Sequence, residues 1–529
     1  MSAVTKCGFI RMAVTVIVLA GSSASVALAT VDVTKTPPDP NSRFCRTSPL
    51  RTGLKCLGVL RNKTTGEIKS SNWSIDGCPV DRDYVDFDKY CDYLPSLGIK
   101  KIRILTGWAK SERKKGTIDV AWIDHIVGWC QAHAMEVILE LSYGNPAYEG
   151  GGGPGLADGI PDSPEGLAAW DRWVEFLARH FSGRVREWSM WNEPDNLPKP
   201  GKKRLTPDEI AAFNVRCAKI LRAHIPHARI HGLSLAYNDP AFLEECLRAM
   251  GEDVRLFDTF IYHGYAQNPD TSYANVIKQK AVVAKYAPQA RLRQGENGCS
   301  SDFIDRLSLC RIPWSEYSQA KWDMRRMLGD LGHDVESSVF GIVDINYAPP
   351  AHPYKMCNRK GLLRTNESND VIRVKRAYQA VRNVVSVFDD TVRRVRKPGI
   401  STSDRSLALY EYQDAARRPI FVFWEKGRVN WDDKTNRLVL DPASRPSDGF
   451  SLRPVVFDWN GTPLDEPVWV DLLTGRVYEL PAEAQIVHSC GVAFADVPVY
   501  DSPCLLTERS VLDFVPEYDN SNTKERKQK

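Results

Sequence analysis

The stretch VREWSMWNEPDN, residues 185–196, indicates the fold most directly, because an apolar and aromatic run ends there in Asn192, Glu193 and Pro194. Proline has no backbone N–H to donate to a sheet and disfavours further regular structure, so the pattern predicts a short strand that gives way to a loop at Glu193. In enzymes built on parallel barrels, active-site residues stand at this end of the strands. The stretch therefore predicts a barrel with a carboxylate at the carboxyl end of one strand.

A second run repeats the pattern further along the chain. In ARLRQGENG, residues 290–298, a short predicted strand is followed by Glu296, Asn297 and Gly298. Hydrolysis of a glycosidic bond needs two carboxyl groups in opposite protonation states, because a poor leaving oxygen must be protonated while positive charge grows at the anomeric carbon. Two strand-end carboxylates, Glu193 and Glu296, therefore predict a glycosidase.

Apolar runs typical of strands alternate with helical patterns over most of the chain. Eight strands are predicted, at residues 54–60, 101–105, 137–141, 185–190, 230–235, 259–262, 292–294 and 339–345. One intervening helix has a clear beginning, since Thr206 and Glu209 form a capping box around Pro207. Eight strands that alternate with helices indicate a parallel (β/α)8 barrel more often than an open sheet.

The pattern changes at about Asp389, where short runs separated by turns replace the alternation of strands and helices. Such runs predict an all-β domain, for which a β-sandwich beside the barrel is the expected form. Its role is either to stabilise the barrel or to bind carbohydrate. The predicted organisation is a signal peptide at 1–29, a linker or a strand lent to the β domain at 30–52, the catalytic barrel at 53–388, the β-sandwich at 389–515 and a disordered basic tail at 516–529.

With these motifs the chain resembles clan A of the retaining glycoside hydrolases, which are eightfold barrels with an Asn-Glu-Pro acid/base after strand four and a glutamate nucleophile after strand seven. The run YHGY, residues 262–265, matches the His-x-Tyr motif of this clan at the end of strand six. The Trp-Asn-Glu-Pro form with a trailing β domain is most similar to the β-xylosidase and iduronidase relatives or to the cellulase-like ones, and both stay open. The resemblance covers residues 52 to 385.

The predicted end of strand eight departs from the clan. Members often place a tryptophan there, whereas VFGIVDINYAPP, residues 339–350, offers Asp344, Asn346 and Tyr347 instead. The aromatic floor of the sugar subsite is therefore not predicted from this run.

The two glutamates are expected to have unequal roles. Ionised Glu296 is the expected nucleophile at the anomeric carbon, and protonated Glu193 the expected acid that later deprotonates water. Asn192 is expected to bind the sugar hydroxyl next to the anomeric centre. The resemblance implies that Tyr265 donates a hydrogen bond to Glu296, and His263 is expected to line the same subsite.

Four further residues are candidates for the site. Arg103, on predicted strand two, either holds Glu296 electrostatically or makes an ordinary structural ion pair. Trp108, Tyr143 and Asn145 follow strands two and three. Aromatic side chains at that face stack on sugar rings, but packing against the rim of the barrel is an equal alternative.

The first residues have the layout of a secretory signal peptide, with Lys6 and Arg11, the apolar run 12–20 and small residues that end in Ala29. Cleavage is expected after Ala29. No later stretch of the sequence reaches the roughly 18 apolar residues that a spanning helix needs. The protein is therefore expected to be secreted or periplasmic, without a membrane span.

Cysteine usage suits an exported chain. The sequence has 13 cysteines, and loss of Cys7 with the signal leaves an even number, which is compatible with disulfide pairing. Pairs close in sequence are the expected ones: Cys45–Cys56, Cys78–Cys91, Cys299–Cys310 and Cys490–Cys504. A metal site is not expected, because no Cys-x-x-Cys spacing occurs.

The charge balance argues against nucleic-acid or membrane partners. The formal net charge is +4 and falls by two when Lys6 and Arg11 leave with the signal, which is too small for such partners. Two loops on the predicted catalytic face are nevertheless basic: Lys110, Arg113, Lys114 and Lys115 after strand two, and Lys199, Lys202, Lys203 and Arg204 after strand four. They either steer an acidic glycan or are ordinary solvated side chains.

The sequence therefore predicts an exported retaining glycosidase that acts on a polysaccharide or oligosaccharide, with no cofactor and with the oligomeric state open. A related transglycosylase and a barrel that binds glycans without cleaving them are the alternatives. A serine hydrolase would need a Gly-x-Ser-x-Gly elbow, which does not occur, and a nucleotide enzyme a phosphate-binding glycine loop with a Lys-Ser partner, which the glycine-rich run of this chain lacks. The glycine-rich run 150–155 follows strand three and is expected to be an active-site loop.

Overall fold

The computed structural model describes most of the chain between residues 50 and 517. The described residues are 50, 52–77, 79–156, 158–197, 203–304, 307–310, 314–348, 352, 355–427, 431–432, 437–438 and 452–517. The predicted signal peptide, nearly all of the predicted linker and nearly all of the basic tail lie outside them. Of the helices that the structure describes, none is long and apolar enough to span a bilayer.

Eight parallel strands form a barrel and follow one another around it in chain order. Strands one to eight are Trp73–Asp76, Lys101–Leu105, Glu136–Glu140, Glu187–Ser189, Arg229–Leu235, Thr259–Tyr262, Arg291–Gln294 and Ser337–Val339. Strand one pairs with strands two and eight, and a bridge between Arg293 and Glu336 joins strand seven to strand eight. The carboxyl ends of all eight strands therefore meet at one face, which is where such barrels place their active sites.

A helix follows each strand of the barrel. These helices are Leu94–Leu97, Ala121–Ala132, Pro164–His180, Pro207–His224, Pro240–Met250, Tyr273–Tyr286, Glu316–Gly332 and Arg376–Val387. The predicted capping box is confirmed: Thr206 Oγ1 accepts from the N–H of Glu209, and the Glu209 carboxylate accepts from the N–H of Thr206. The predicted (β/α)8 barrel is confirmed.

The first barrel strand differs from the prediction. The sequence predicts it at residues 54–60, but Cys56–Leu60 lies in the β-sandwich, where it pairs with Arg476–Glu479 and Phe514–Pro516. Barrel strand one is Trp73–Asp76, in which all four residues are buried. The prediction was wrong because an apolar run shows that a strand forms without showing which sheet receives it.

Strand eight is also shorter than predicted. It ends at Val339 and is followed at once by Phe340, whereas residues 345–347 pair with Met356–Asn358 in a separate hairpin. The predicted strand, 339–345, merged the end of the barrel strand with the loop beyond it. The aromatic residue at the carboxyl end of strand eight is therefore Phe340, and not one of the residues beyond it.

Two antiparallel sheets form the predicted β-sandwich. The larger is ordered Arg393–Arg394, Leu407–Gln413, Pro419–Glu425, Cys504–Glu508, Pro467–Asp471, Arg476–Glu479, Cys56–Leu60 and Phe514–Pro516. The smaller is ordered Ile400–Ser401, Arg453–Trp459, Gly491–Val499 and Gln485–His488. Phe421, Phe457, Trp469 and Phe494 are fully buried in the cluster between them, so the sandwich has a hydrophobic core of its own.

Polar contacts join the sandwich to the barrel. Trp424 donates its indole N–H to Asp270 at 3.0 Å, and Tyr412 donates its hydroxyl to the carbonyl of Leu328 at 2.9 Å. Trp424 and Tyr412 also belong to the same hydrophobic cluster as the barrel. The sandwich therefore packs directly against the barrel.

The described cysteines all have free thiols. The predicted pairs Cys299–Cys310 and Cys490–Cys504 are therefore not formed in the structure. In the second pair Cys490 is exposed whereas Cys504 is buried, and closeness in sequence did not place the two side chains in one environment. Each remaining predicted pair contains a cysteine outside the described residues, Cys45 or Cys78.

Candidate active site

The carboxyl ends of strands four, six and seven bring three predicted site residues together. Glu193 follows strand four, His263 follows strand six and Glu296 follows strand seven. One oxygen of each carboxylate and one ring nitrogen of His263 all lie within 4.8 Å of one another. The side chains of Glu193 and Glu296 expose only 10% and 11% of their surface. The two glutamates therefore face each other in a nearly buried site.

The backbone holds Glu193 in a left-handed conformation. Its φ is +49°, which is uncommon for a residue with a side chain and persists only where the surroundings fix it. The N–H of Glu193 donates to the carbonyl of Ser234 on strand five at 2.9 Å. The carboxylate accepts from Nδ1 of His263 at 2.8 Å and from Nδ2 of Asn196 at 2.8 Å. Both oxygens of Glu193 are thus fixed in direction.

Glu296 is bound by two strong donors. Its Oε1 accepts from the hydroxyl of Tyr265 at 2.8 Å, as the clan resemblance implies, and its Oε2 from Nη1 of Arg103 at 3.0 Å. Burial raises the pKa of Glu296, but the charges of His263 and Arg103 and the hydroxyl of Tyr265 outweigh burial and hold that pKa below its ordinary value. Glu296 is therefore ionised at neutral pH.

Arg103 is the cation at the centre of the site. It is 4% exposed and lies 2.9 Å from Asp76, 3.0 Å from Glu140 and 3.0 Å from Glu296. Burial lowers the pKa of Arg103, but these carboxylates outweigh burial and raise it well above its ordinary value. The sequence left two roles open for Arg103, to hold Glu296 or to make a structural ion pair. The structure shows both, since Arg103 bonds to Glu296 and also pairs with Asp76 and Glu140.

His263 lies between the two glutamates. Its Nδ1 is 2.8 Å from Glu193 and 3.9 Å from Glu296. Burial lowers the pKa of His263, but the charges of Glu296 and Glu193 outweigh burial and raise it above its ordinary value. Its Nε2 is buried without a hydrogen-bond partner among the described residues. His263 is thus a proton donor to Glu193.

Asn192 and Tyr143 are bound to each other. The amide Nδ2 of Asn192 donates to the hydroxyl of Tyr143 at 2.7 Å, and its Oδ1 accepts from Arg103 at 2.6 Å. The guanidinium of Arg82 lies over the Tyr143 ring at 4.8 Å. Sequence reasoning missed Arg82, because it lies in a short 3-10 turn in the loop that follows strand one, and that strand was placed elsewhere.

Two cavities meet at the glutamates. The smaller, about 280 Å³, extends toward strands one to three and is lined by Arg103, Tyr143 and Asn192 among others. The larger, about 600 Å³, extends toward strands five and six and is lined by residues such as Asn238 and Asn275. Glu193, Glu296 and Phe340 line both. An elongated ligand that occupied both cavities would therefore contact the two carboxylates where the cavities join.

Phe340 supplies the aromatic surface that the sequence did not reveal at the end of strand eight. It follows the strand directly and is 9% exposed. Tyr347, which the sequence did single out, also lines both cavities. The sequence signal for Phe340 was an aromatic residue just before Gly341. It was missed because strand eight was predicted to continue to residue 345, so Phe340 was placed inside the strand and not at its end.

Two predicted site residues lie away from the cavities. Trp108 is fully buried, donates to Glu112 at 2.6 Å and stacks on Tyr148 with ring centroids 5.3 Å apart. Asn145 donates to the carbonyl of Glu112 at 2.8 Å and caps the N–H of Ala147. Both residues pack the rim of the barrel, so the alternative of rim packing is the one that the structure supports for them.

The basic loops contain several paired lysines. Three of them form ion pairs, Lys110 with Asp83, Lys115 with Glu165 and Lys203 with Glu209. Lys199 and Lys202 lie outside the described residues. An ion-paired surface lysine attracts a distant anion only weakly, because its partner and the surrounding salt screen its charge. The structure therefore gives little support to the hypothesis that these loops attract an acidic glycan.

A metal ion does not suit the site. Among the described residues, Glu193, His263 and Glu296 form the only group of three with ligand atoms close enough to share an ion. His263 already directs Nδ1 at Glu193, and its raised pKa favours the protonated ring, which has no lone pair to offer. The cluster fits proton transfer better than metal binding.

Comparison with known proteins gives matches in structure alone. No family model matches the chain, and no curated protein matches its sequence. The structure is similar to a family 39 glycoside hydrolase from Bacteroides cellulosilyticus WH2, with a TM-score of 0.57 and 16% identity over 85% of this chain and 83% of that one. It is also similar to a monomeric β-xylosidase from Caulobacter crescentus CB15, with a TM-score of 0.54 and 14% identity over 86% and 97% of the two chains.

A third solved structure extends the likeness along the chain. The family 39 enzyme from Xanthomonas axonopodis pv. citri matches with a TM-score of 0.52 and 16% identity over 90% of this chain and 100% of that one. These identities are low, so the likeness concerns architecture. The predicted resemblance is confirmed at that level: the chain has the fold of the clan A glycoside hydrolases, a (β/α)8 barrel joined to a β-sandwich.

Proposed function

We propose that this protein is an exported retaining glycosidase that hydrolyses O-glycosidic bonds of a polysaccharide or oligosaccharide by double displacement. The observation that carries the proposal is the pair Glu193 and Glu296, whose oxygens approach within 4.8 Å. Retaining pairs stand about 5–5.5 Å apart, whereas inverting pairs stand about 6.5–9.5 Å apart to leave room for water. The spacing supports direct attack by one carboxylate.

Glu296 is the nucleophile in this proposal. Arg103 and Tyr265 occupy one oxygen each and keep the carboxylate ionised and aimed. Attack on the anomeric carbon forms an ester between Glu296 and the sugar while the bond to the leaving oxygen breaks. Arg103 stays positively charged throughout the reaction. The negative charge that balances the developing oxocarbenium ion therefore comes from Glu296 and from the other carboxylates that flank Arg103.

Glu193 delivers the proton that the leaving oxygen needs. The hydrogen bond between His263 Nδ1 and Glu193 Oε1 holds one proton, and the raised pKa of His263 keeps that proton available at neutral pH. As the leaving group departs, the proton passes through Glu193 to its oxygen. In the second step Glu193 removes a proton from water, the water oxygen bonds to the anomeric carbon, and the bond between that carbon and Glu296 breaks. The proton returns to the hydrogen bond between Glu193 and His263.

The two cavities divide the substrate between them. Asn192, which the clan resemblance assigns to the hydroxyl next to the anomeric centre, lines only the smaller cavity. Asn196, which is bonded to the acid Glu193, lines only the larger one. We therefore place the sugar that Glu296 attacks in the smaller cavity and the leaving group in the larger.

The substrates named for similar structures suggest where to begin. One similar structure is a β-xylosidase and another a family 30 endoxylanase from Clostridium papyrosolvens C71. The test is hydrolysis of a panel of aryl glycosides and polysaccharides that begins with xylosides and xylans, followed by proton NMR of the first anomer released. Retention of configuration supports the proposal, and an inverted first product contradicts it.

Two controls complete the test. Glu296→Gln should remove the activity, which excludes a contaminating enzyme. No hydrolysis of any substrate by the wild-type protein would favour the glycan-binding alternative, and transfer of sugar to an added alcohol in preference to water would favour the transglycosylase. Export is tested separately by N-terminal sequencing of the protein recovered outside the cytoplasm, for which a mature chain that begins at Thr30 is expected.

A further inference from the structure

The larger cavity contains a buried cation that forms no ion pair with a carboxylate of the described residues. Lys360 follows the strand Met356–Asn358, is 4% exposed and lines this cavity. Its ammonium lies 4.6 Å from the centroid of the Tyr265 ring and 5.9 Å from that of Phe340. Among the described residues the ammonium has no hydrogen bond and no ion pair. Its charge is therefore free to meet a ligand in the cavity.

Other buried lysines of this chain are arranged differently. Three of them pair with carboxylates, Lys101 with Glu187, Lys321 with Asp501 and Lys375 with Asp344. Such pairing is the rule, because a buried ammonium that loses its water is costly without an anion. Within the part of the chain that the structure describes, the ammonium of Lys360 contacts the faces of two aromatic rings and no carboxylate. Aromatic rings attract a cation more weakly than a carboxylate does.

The wall of the larger cavity is otherwise neutral or negative. Three of the described residues of the wall have charged side chains, namely Glu193, Glu296 and Lys360. The others are uncharged, including Asn238, Asn275 and Asn358, so Lys360 is the single cation of the described wall. An anionic group that entered beside the two glutamates would be repelled unless it reached Lys360, so this residue decides whether the cavity accepts negative charge.

We propose that Lys360 binds an anionic substituent, a carboxylate or a sulfate ester, on the sugar unit at the leaving-group side of the cleaved bond. The inference rests on the proposed function for the placement of the leaving group in the larger cavity. An ammonium offers three N–H donors, and its hydrogen bonds to a carboxylate or sulfate oxygen are charge-assisted. Tyr265 and Phe340 hold the ammonium in place when no anion is bound.

The test uses disaccharides that share the cleaved linkage and differ only in the leaving sugar, which is a neutral hexose, the matching hexuronate or the sulfated hexose. For each, kcat/KM is measured with the wild type, Lys360→Met and Lys360→Arg. We expect the ratio of acidic to neutral kcat/KM to fall roughly ten- to a hundredfold in Lys360→Met, the size of one charge-assisted hydrogen bond, and to be largely retained in Lys360→Arg. The substrate whose ratio falls identifies the anion as carboxylate or sulfate.

A purely structural role gives a different result. If Lys360 only supports the ring of Tyr265, kcat falls by the same factor on acidic and neutral substrates and the ratio does not move, which overturns the proposal. Lys285→Met is the matched control, because Lys285 is exposed on a barrel helix and pairs with Glu244. It should leave the ratio unchanged, and thermal unfolding of each variant verifies that it is folded.

Failure of the glycosidase itself is distinguishable from failure of this inference. If the wild type cleaves none of the disaccharides, the proposed function fails, and binding then decides the role of Lys360. Titration calorimetry is carried out with Glu296→Gln and with Glu296→Gln that also contains Lys360→Met. The inference is supported if Glu296→Gln binds an acidic disaccharide more tightly than the neutral one and the double variant does not. It is overturned if Glu296→Gln binds both with equal affinity, or if the double variant retains the preference for the acidic disaccharide.

Discussion

The hydroxyl of Tyr265 donates a hydrogen bond to Oε1 of Glu296 at 2.8 Å. Because the acceptor is a buried carboxylate, this bond is stronger than one between neutral groups. The same ring also lies beneath the ammonium of Lys360. One tyrosine therefore connects the proposed nucleophile with the proposed leaving-group cavity.

Removal of that hydroxyl should change both the rate and its pH dependence. In Tyr265→Phe we expect kcat to fall about ten- to a hundredfold, since a hydrogen bond to a charged group contributes about 1.5–3 kcal/mol. The lost donor had lowered the pKa of Glu296, so the acidic limb of the pH–rate profile should move to higher pH. Tyr286→Phe removes a similar hydroxyl that bonds to Glu244 at 2.8 Å on the surface and should change neither. An acidic limb that stays in place would contradict the role of Tyr265.

The two glutamates should respond differently to substitution. Glu296→Gln should lower kcat on every substrate by roughly 10⁴-fold or more, because the nucleophile is lost. Glu193→Ala should lower kcat about 10²- to 10⁴-fold on substrates with poor leaving groups and far less on dinitrophenyl glycosides, which need no proton. The comparison is a kinetic series over leaving groups of different pKa. Equal losses across that series in Glu193→Ala would remove Glu193 from its proposed role.

Loss of Arg103 should destabilise the fold as well as the site. Arg103→Met leaves the buried carboxylates of Asp76, Glu140 and Glu296 without their shared cation, and removal of one partner from a buried pair typically costs about 3–5 kcal/mol. Arg179→Met breaks an exposed pair on a barrel helix and should cost less than about 1 kcal/mol. Urea denaturation measures both values. A similar small loss for the two variants would show that the three carboxylates are compensated in another way.

His263 should stabilise the protein most at low pH. Its pKa in the folded protein is raised above the ordinary value, a shift in which Glu296 and Glu193 outweigh burial. A raised pKa contributes stability that is complete below about pH 6.5 and is lost as the pH rises through the folded pKa. The difference in Tm between the wild type and His263→Gln should therefore be larger at about pH 5.5 than at about pH 9. The surface variant His125→Gln is the control, and a difference that grows with pH would contradict the expectation.

Local signals were sufficient to predict that the two glutamates lie at one face of the barrel. Glu193 and Glu296 each follow a short strand, and the strand end places a side chain at the same face whatever the rest of the barrel does. The capping box at Thr206 was predictable for the same reason, since its donors and acceptors lie within four residues. Features that depend on neighbours close in sequence were therefore recovered.

Features that depend on distant partners were not. Cys56–Leu60 has the pattern of a strand, but its partners lie more than four hundred residues away in the sandwich, and no local signal identifies them. Trp108 follows strand two as predicted, yet it turns toward Tyr148 and away from the cavity. Lys360 entered no prediction, because a single lysine in a loop has no pattern. Only the three-dimensional fold shows that it is buried beside Tyr265.

Phe340 offers a test of the aromatic surface at the end of strand eight. It lines both cavities, so its ring can stack on the sugar on either side of the cleaved bond. Phe340→Leu retains apolar volume but removes the flat face, and we expect KM to rise about two- to tenfold, as for the loss of a stacking contact of about 0.5–1.5 kcal/mol. Its Tm should change little, because substitutions that conserve volume are well tolerated.

Two further variants separate stacking from packing at this position. Phe340→Trp restores a flat face and should retain a KM near that of the wild type, whereas Phe340→Ala should raise KM and also lower Tm, because the ring is only 9% exposed and its removal leaves a void. KM is measured with the best substrate from the glycoside panel, and Tm by differential scanning calorimetry. If the leucine variant lost Tm without a change in KM, Phe340 would be a packing residue, and the sugar would have to rest on Tyr347 instead.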